Sequence, residues 1–174
     1  MKLSDLTLNT PYLSLDPIFY DKVVPSPLKN PRLASFNPKA AELLGLDPAL
    51  LETDELERLL NGTLLLNGAS PYAMCYSGHQ FGYYVPRLGD GRAINLGSAN
   101  GWNLQLKGSG QTLYSRQGDG RAVLRSSIRE YLMSEAMDAL GIPTSRALAI
   151  ISSDENVARE RWERGAIVLR LSPS

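Results

Sequence analysis

One long helical stretch caught between β-rich runs limits the fold more than any other feature. Residues Ala122 to Leu140, AVLRSSIREYLMSEAMDAL, place Leu124, Ile128, Leu132, Ala136 and Leu140 on one stripe at i, i+4 spacing. That is the pattern of a helix laid against a core. Asp119 stands near its start, Gly141 just past its end and Pro143 beyond, so both boundaries are marked. Before it come RAINLG and WNLQLKG, joined by Ser98-Ala99-Asn100-Gly101 in a hairpin signal. After it come RALAII and GAIVLRL, with VARERW expected to pair beside the last across Glu163-Arg164-Gly165. This order predicts an α+β fold, one antiparallel sheet with a long helix packed on a face.

Upstream the signals are irregular. Pro11, Pro17, Pro25, Pro27 and Pro31 interrupt residues 1–36, which read as an extended arm wrapping something larger. Asn37 is placed to cap a short helix through KAAELL, with Pro38 in its first turn and Gly45 as its stop. A second short helix is expected through DELERLL, ended by Asn61-Gly62. The acidic residues between Lys39 and Arg58 form a solvated face. The expected division is an arm with short helices over residues 1–70 and a sheet-and-helix lobe over 71–174. LRLSPS ends the chain directly after an apolar strand, as in a piece of a longer protein.

With 43% hydrophobic residues in 174, the chain can bury a core. Its 18 basic and 18 acidic side chains cancel, which leaves no net field to draw it to nucleic acid or to an anionic membrane. No apolar run reaches the roughly 18 residues of a membrane span, and MKLSDLTLNTPYLSL lacks the core of a secretion signal. A soluble, cytoplasmic protein is expected. A single cysteine, Cys75, excludes an internal disulfide, and with one histidine, His79, it gives no metal-binding spacing. His79 reads as structural rather than as a general base, and Cys75 as a small packed hydrophobe.

The chemistry gathers around a repeat: GDGRAINL begins at Gly89 and GDGRAVLR at Gly118. Between Arg87 and Glu130 seven basic residues face three acidic ones, so any attraction for anions is local. Glycine lets backbone N–H groups approach phosphate oxygens, and arginine forks bind them in pairs. Alone, GDGR is also an ordinary turn. Lys107 ends the strand LQLK on the face opposite Leu104 and Leu106, and Glu130 shares a helix stripe with Val123, Ser127, Ser134 and Met137. A strand lysine paired with a helix glutamate holds phosphates in protein kinases. The alternative is an exposed lysine and an exposed glutamate that never meet.

Four blocks, SGHQFGYYVPRLGDGRAINLG, LQLKGSGQTLYSRQGDGRAVLRSSIREYLMSEAM, LGIPTSRALAI and GAIVLRLSPS, closely resemble the selenoprotein O family of kinase-like proteins. The resemblance covers nearly the whole chain and implies the N-terminal part of a longer, two-lobed protein, including a kinase-like N-lobe. It further implies a protein adenylyltransferase, which presents the α-phosphate of ATP to a Ser, Thr or Tyr hydroxyl of a target protein. By motif, Lys107 matches the nucleotide-binding lysine and Glu130 its supporting partner. Gly89, Gly91, Arg92, Asp119, Gly120 and Arg170 match the other nucleotide contacts. The catalytic aspartate and the ligands of Mg2+ or Mn2+ would belong to a C-lobe beyond Ser174, so the chain alone is expected to be inactive. UMP transfer and a non-catalytic nucleotide sensor stand as alternatives. Ser77 replaces a usual alanine and Arg87 a usual glutamine. Gln111 and Leu113 replace common prolines, for which a looser loop after Lys107 is expected.

Overall fold

Strict alternation in the last strand organises the molecule. In the computed structural model, which describes residues 1–173, Ile167, Leu169 and Leu171 enter a large core on one side of a sheet, while Ala166 and Val168 enter a smaller one on the other. The elements in chain order are β1 (Tyr20–Lys22), β2 (Arg32–Phe36), α1 (Pro38–Leu43), α2 (Thr53–Leu60), β3 (Tyr72–Met74), β4 (Gly78–Gln80), β5 (Tyr83–Val85), β6 (Ala93–Ala99), β7 (Trp102–Lys107), β8 (Ala122–Val123), α3 (Leu124–Ala139), β9 (Arg146–Ala158) and β10 (Trp162–Pro173). The main sheet runs β1-β3-β6-β7-β10-β9-β2, antiparallel throughout, with β8 added beside β10 and with β4–β5 as a separate hairpin. This is the expected α+β layout, and it is consistent with a kinase-like N-lobe.

Helices α1 and α2 cover the first face. Asn37 caps α1 by accepting from the Ala40 N–H, and Gly45 turns the chain away at φ +73°. Leu56, Leu59 and Leu60 of α2 are buried with Leu104, Leu106 and Leu169. Leu3, Leu6, Leu8 and Leu28 join the same core, and β1 and β2 form the two edges of the sheet. The arm is thus part of the packed structure.

Three expectations need correction. Helix α3 covers the second face, but not through its leucine stripe: Ile128, Leu132 and Leu140 are exposed, Leu132 at 62% and Leu140 at 71%. The inward side carries Ser127 and Ser134, with Leu124 and Tyr131 packed on Ala147, Ile150, Ala166 and Val168. Small side chains let the helix lie close to the sheet, and the serines satisfy themselves locally. Ser127 Oγ donates to the Val123 carbonyl, and Ser134 Oγ donates to Tyr131 O while accepting from Ala147 N. The helix also starts later, because Ala122 and Val123 pair with β10. Finally, the last hairpin turns at 159–161 rather than at Glu163-Arg164-Gly165. Trp162 pairs with Ala158, and Glu163 is a strand residue whose carboxylate takes both forks of Arg125. The β6–β7 turn needs only Asn100-Gly101, both at positive φ.

Candidate nucleotide-binding site

Strand β7 sets the site by alternation. Leu104 and Leu106 point into the large core, so Gln105 and Lys107 face α3 on the other side. There Lys107 Nζ donates to Glu130 Oε2, and Arg170 on β10 donates through Nη1 to Glu130 Oε1 at 3.1 Å. The three side chains keep 21%, 23% and 26% of their surface exposed in the order Lys107, Glu130, Arg170. Of the two sequence readings, a strand lysine paired with a helix glutamate or two exposed residues that never meet, it is the paired one that the sheet–helix interface holds.

Two cations on one carboxylate make the cluster net positive. Burial, the largest influence on Lys107, lowers its pKa; Glu130 partly offsets this, and the neighbouring Arg170 and Arg92 lower it further. Burial would raise the Glu130 carboxyl, yet Lys107 and Arg170 together hold it below its ordinary value. The two directions agree physically: the carboxylate is over-compensated, the ammonium under-compensated. An entering anion would restore the balance.

The two Gly-Asp-Gly-Arg turns lie beside this cluster on one cavity of about 610 Å3. Gly89, Gly91 and Arg92 line it from the first copy, and Gly118, Asp119, Gly120 and Arg121 from the second. Gly89 sits at φ +57° with the Tyr114 ring where a Cβ would stand. Gly120, at φ +69°, packs its Cα on the backbone of Gly110, and Gly110 N donates to Gly120 O at 3.2 Å. A neighbouring cavity of about 250 Å3 is lined by Arg92, Lys107, Ser126, Arg129, Glu130 and Met133. Arg92 is common to both. Arg170 lines neither cavity, reaching the cluster through Glu130.

The loop between the copies is tied down. Thr112 Oγ1 donates to Asp90 O and Ser115 Oγ to Gly91 O, while Gln111, expected to loosen the loop, donates to Gly118 O at 2.7 Å. The repeated aspartates differ in role. Asp90 is buried, accepting from Met74 N, Tyr76 Oη and Asn95 Nδ2; burial raises its pKa against the pull of these donors. Tyr76 is pushed up to about 12, by burial first and by Asp90 next. Asp119 instead takes two hydrogen bonds from Arg159, which hold its carboxyl below the usual carboxylate range. Arg159, a cavity-lining residue at the β9–β10 turn, is missed by sequence reasoning, because nothing local marks a partner so distant in the chain. His79 lies exposed on the β4–β5 hairpin, its ring edge-on to Tyr84 and outside both cavities. Cys75 is free and half-buried. Among the described residues no three His, Cys, Asp or Glu side chains gather as a metal-holding group. No helix is long and apolar enough to cross a membrane.

Comparison with known proteins adds the lineage. A family model described as protein adenylyltransferase SelO matches residues 2–174. Proteins named protein nucleotidyltransferase YdiU are 56% identical over 177 residues in Pseudomonas fluorescens, 54% over 177 in Bordetella avium and 52% over 178 in Thioalkalivibrio sulfidiphilus. Each alignment covers 99% of this chain and 36% of the relative, so the chain spans about a third of the length of the curated relatives it matches. The match along almost every residue, with both Gly-Asp-Gly-Arg turns and the Lys107–Glu130 pair inside it, means that the chain belongs to the SelO family.

Proposed function

We propose that this chain is the ATP-binding part of a protein nucleotidyltransferase that moves AMP from ATP to Ser, Thr or Tyr hydroxyls of target proteins. The observation that carries the reading is the under-compensated Lys107, paired with Glu130 beside two glycine turns that share a cavity. Lys107 and Arg92 would meet phosphate oxygens from below, and Arg170 would hold Glu130 so that the lysine stays extended. Gly89, Gly91 and Gly120, bent against Tyr114 and Gly110 on one side, would present their backbone to the nucleotide from the cavity side, with Asp119 at the far rim. The contribution of such a site is positioning and charge stabilisation of the leaving pyrophosphate. A divalent cation, Mg2+ or Mn2+, would add further charge neutralisation to the phosphates when bound. Its ligands and the residue that activates the hydroxyl are assigned to the part of the protein that follows.

The test uses the full-length protein. Lys107→Ala should lower AMP transfer from labelled ATP at least about 100-fold, the loss typical of one preorganised charge donor. Near-normal labelling would end the role given to this lysine. Mass spectrometry of the labelled target separates the nucleotides: added adenylate supports the proposal, whereas added uridylate or phosphate replaces it.

A further inference from the structure

A row of buried polar side chains crosses the sheet beneath the site, and its hydrogen bonds run in one direction. Asn95 on β6 stands opposite Gln105 on β7, and Gln105 opposite Arg170 on β10. Asp90 Oδ2 accepts from Asn95 Nδ2 at 2.8 Å, Asn95 Oδ1 from Gln105 Nε2 at 3.1 Å, and Gln105 Oε1 from Arg170 Nε at 2.6 Å. The remaining fork of Arg170 goes to Glu130, which also holds Lys107. Asp90, Asn95 and Gln105 are each less than a tenth exposed.

The orientation of each amide is dictated by the two ends. An ionised carboxylate only accepts and a guanidinium only donates. Asp90 therefore turns the amino group of Asn95 toward itself, which leaves Asn95 Oδ1 for Gln105. The same logic turns the Gln105 carbonyl toward Arg170. Flipping either amide would set donor against donor or acceptor against acceptor in a buried place, where an unmet polar group is costly. An apolar row would pack these strands at less cost.

We infer that Asp90, Asn95 and Gln105 form a directional relay that positions the Arg170 guanidinium, and through it the Glu130–Lys107 pair, for the nucleotide. The inference rests on the function proposed above, and it gives Asp90 of the first Gly-Asp-Gly-Arg turn a role distinct from nucleotide contact. Gln105 is a positioning residue. Without it Arg170 Nε loses its acceptor, and a long side chain regains rotamers that it must give up again on binding.

The test is a double-mutant cycle in the full-length protein, read as ATP affinity by calorimetry in the presence of Mg2+. A chemical-shift measurement on the Arg170 Nε–H accompanies it. Gln105→Met keeps length and apolar volume but removes the relay. It should weaken ATP binding by about 10- to 150-fold, the loss of one hydrogen bond to a charged group. In an Arg170→Ala background the same change should cost less than about twofold, because the positioned group is already gone. The Arg170 Nε–H resonance should shift and exchange faster with water in Gln105→Met. An unshifted resonance, or an undiminished second loss in the Arg170→Ala background, overturns the relay. Wild-type ATP affinity in Arg170→Ala would instead remove the nucleotide reading, and the resonance alone would then decide whether Gln105 orders Arg170. Should Gln105→Met not fold, Gln105→Glu retains an acceptor for Arg170 Nε and is expected to retain its slow exchange; rapid exchange there also overturns the relay.

Discussion

Replacing Glu130 by glutamine is the sharpest probe of the charge cluster, because the change keeps shape and removes one charge from between two cations. Glu130 accepts from Lys107 on one oxygen and from Arg170 on the other. An amide offers one acceptor, so one cation would face an amino group, donor against donor. Breaking a buried ion pair from one side costs about 3–5 kcal/mol, and the residual exposure of these side chains lowers this to about 2–3 kcal/mol. For a chain of this length that is a fall in Tm of roughly 5–10 °C. The pH dependence gives the reasoning its edge. Glu130 titrates below its unfolded value, so its stabilisation is present above the ordinary carboxylate range and is lost as pH falls through the folded value. Lys107 also titrates low, so it opposes folding at neutral pH, and more so once its carboxylate partner is gone. The difference between wild type and Glu130→Gln should therefore be largest near neutrality. It should shrink as pH falls toward the folded value of Glu130 and as it rises through that of Lys107. Urea denaturation of the 174-residue chain, followed by circular dichroism across pH 3–10, measures this. A difference under about 0.5 kcal/mol at pH 7, or one that does not vary with pH, refutes the paired cluster.

Two further outcomes test the backbone and the helix face. Gly120→Ala places a Cβ into the Gly110 backbone at positive φ, a clash that no rotamer relieves; it should cost at least about 2 kcal/mol in urea denaturation, and a change under 0.5 kcal/mol would mean that the second turn is not built this way. On α3 the two sides should respond in opposite order to their polarity: Leu132→Gln should change stability by less than about 0.5 kcal/mol, whereas Ser134→Ala, which strips the acceptor from the buried Ala147 N–H, should cost about 1–3 kcal/mol. The reverse ranking would restore the leucine stripe as the buried face.

Much of this was legible in the residues, and the failures have specific causes. Alternation in LQLK placed Lys107 opposite Leu104 and Leu106, and it held because one face of β7 belongs to the large core. Glu130 was readable from its stripe companions Ser127 and Ser134, small residues that proved to be the buried ones. The leucine stripe misled because apolar periodicity counts side chains without asking what surface they meet. The sheet offers Ala147 and Ala166 there, and a close approach selects serine over leucine. The prolines of the arm announced irregular structure, but nothing local showed that Leu3, Leu6 and Leu8 would enter the main core. The β9–β10 turn was misplaced because its position depends on Arg159 reaching Asp119 and on Glu163 reaching Arg125, contacts between segments far apart in the chain.

The repeated Gly-Asp-Gly-Arg shows where local sequence stops deciding. In both copies glycine permits a backbone bend that another chain segment fills, Tyr114 against Gly89 and Gly110 against Gly120. The side chains between then diverge. Asp90 turns inward to begin the relay toward Arg170, while Asp119 turns outward to Arg159. The Arg92 guanidinium forms no hydrogen bond or ion pair among the described residues and faces both cavities, whereas Arg121 is held by Glu155 and by the Ser26 and Pro27 carbonyls of the arm. One arginine is free for an anion, and the other fastens the arm to the lobe. The five shared letters therefore specify a bend, and the neighbours of each bend decide which charge is spent on structure and which is left for a ligand.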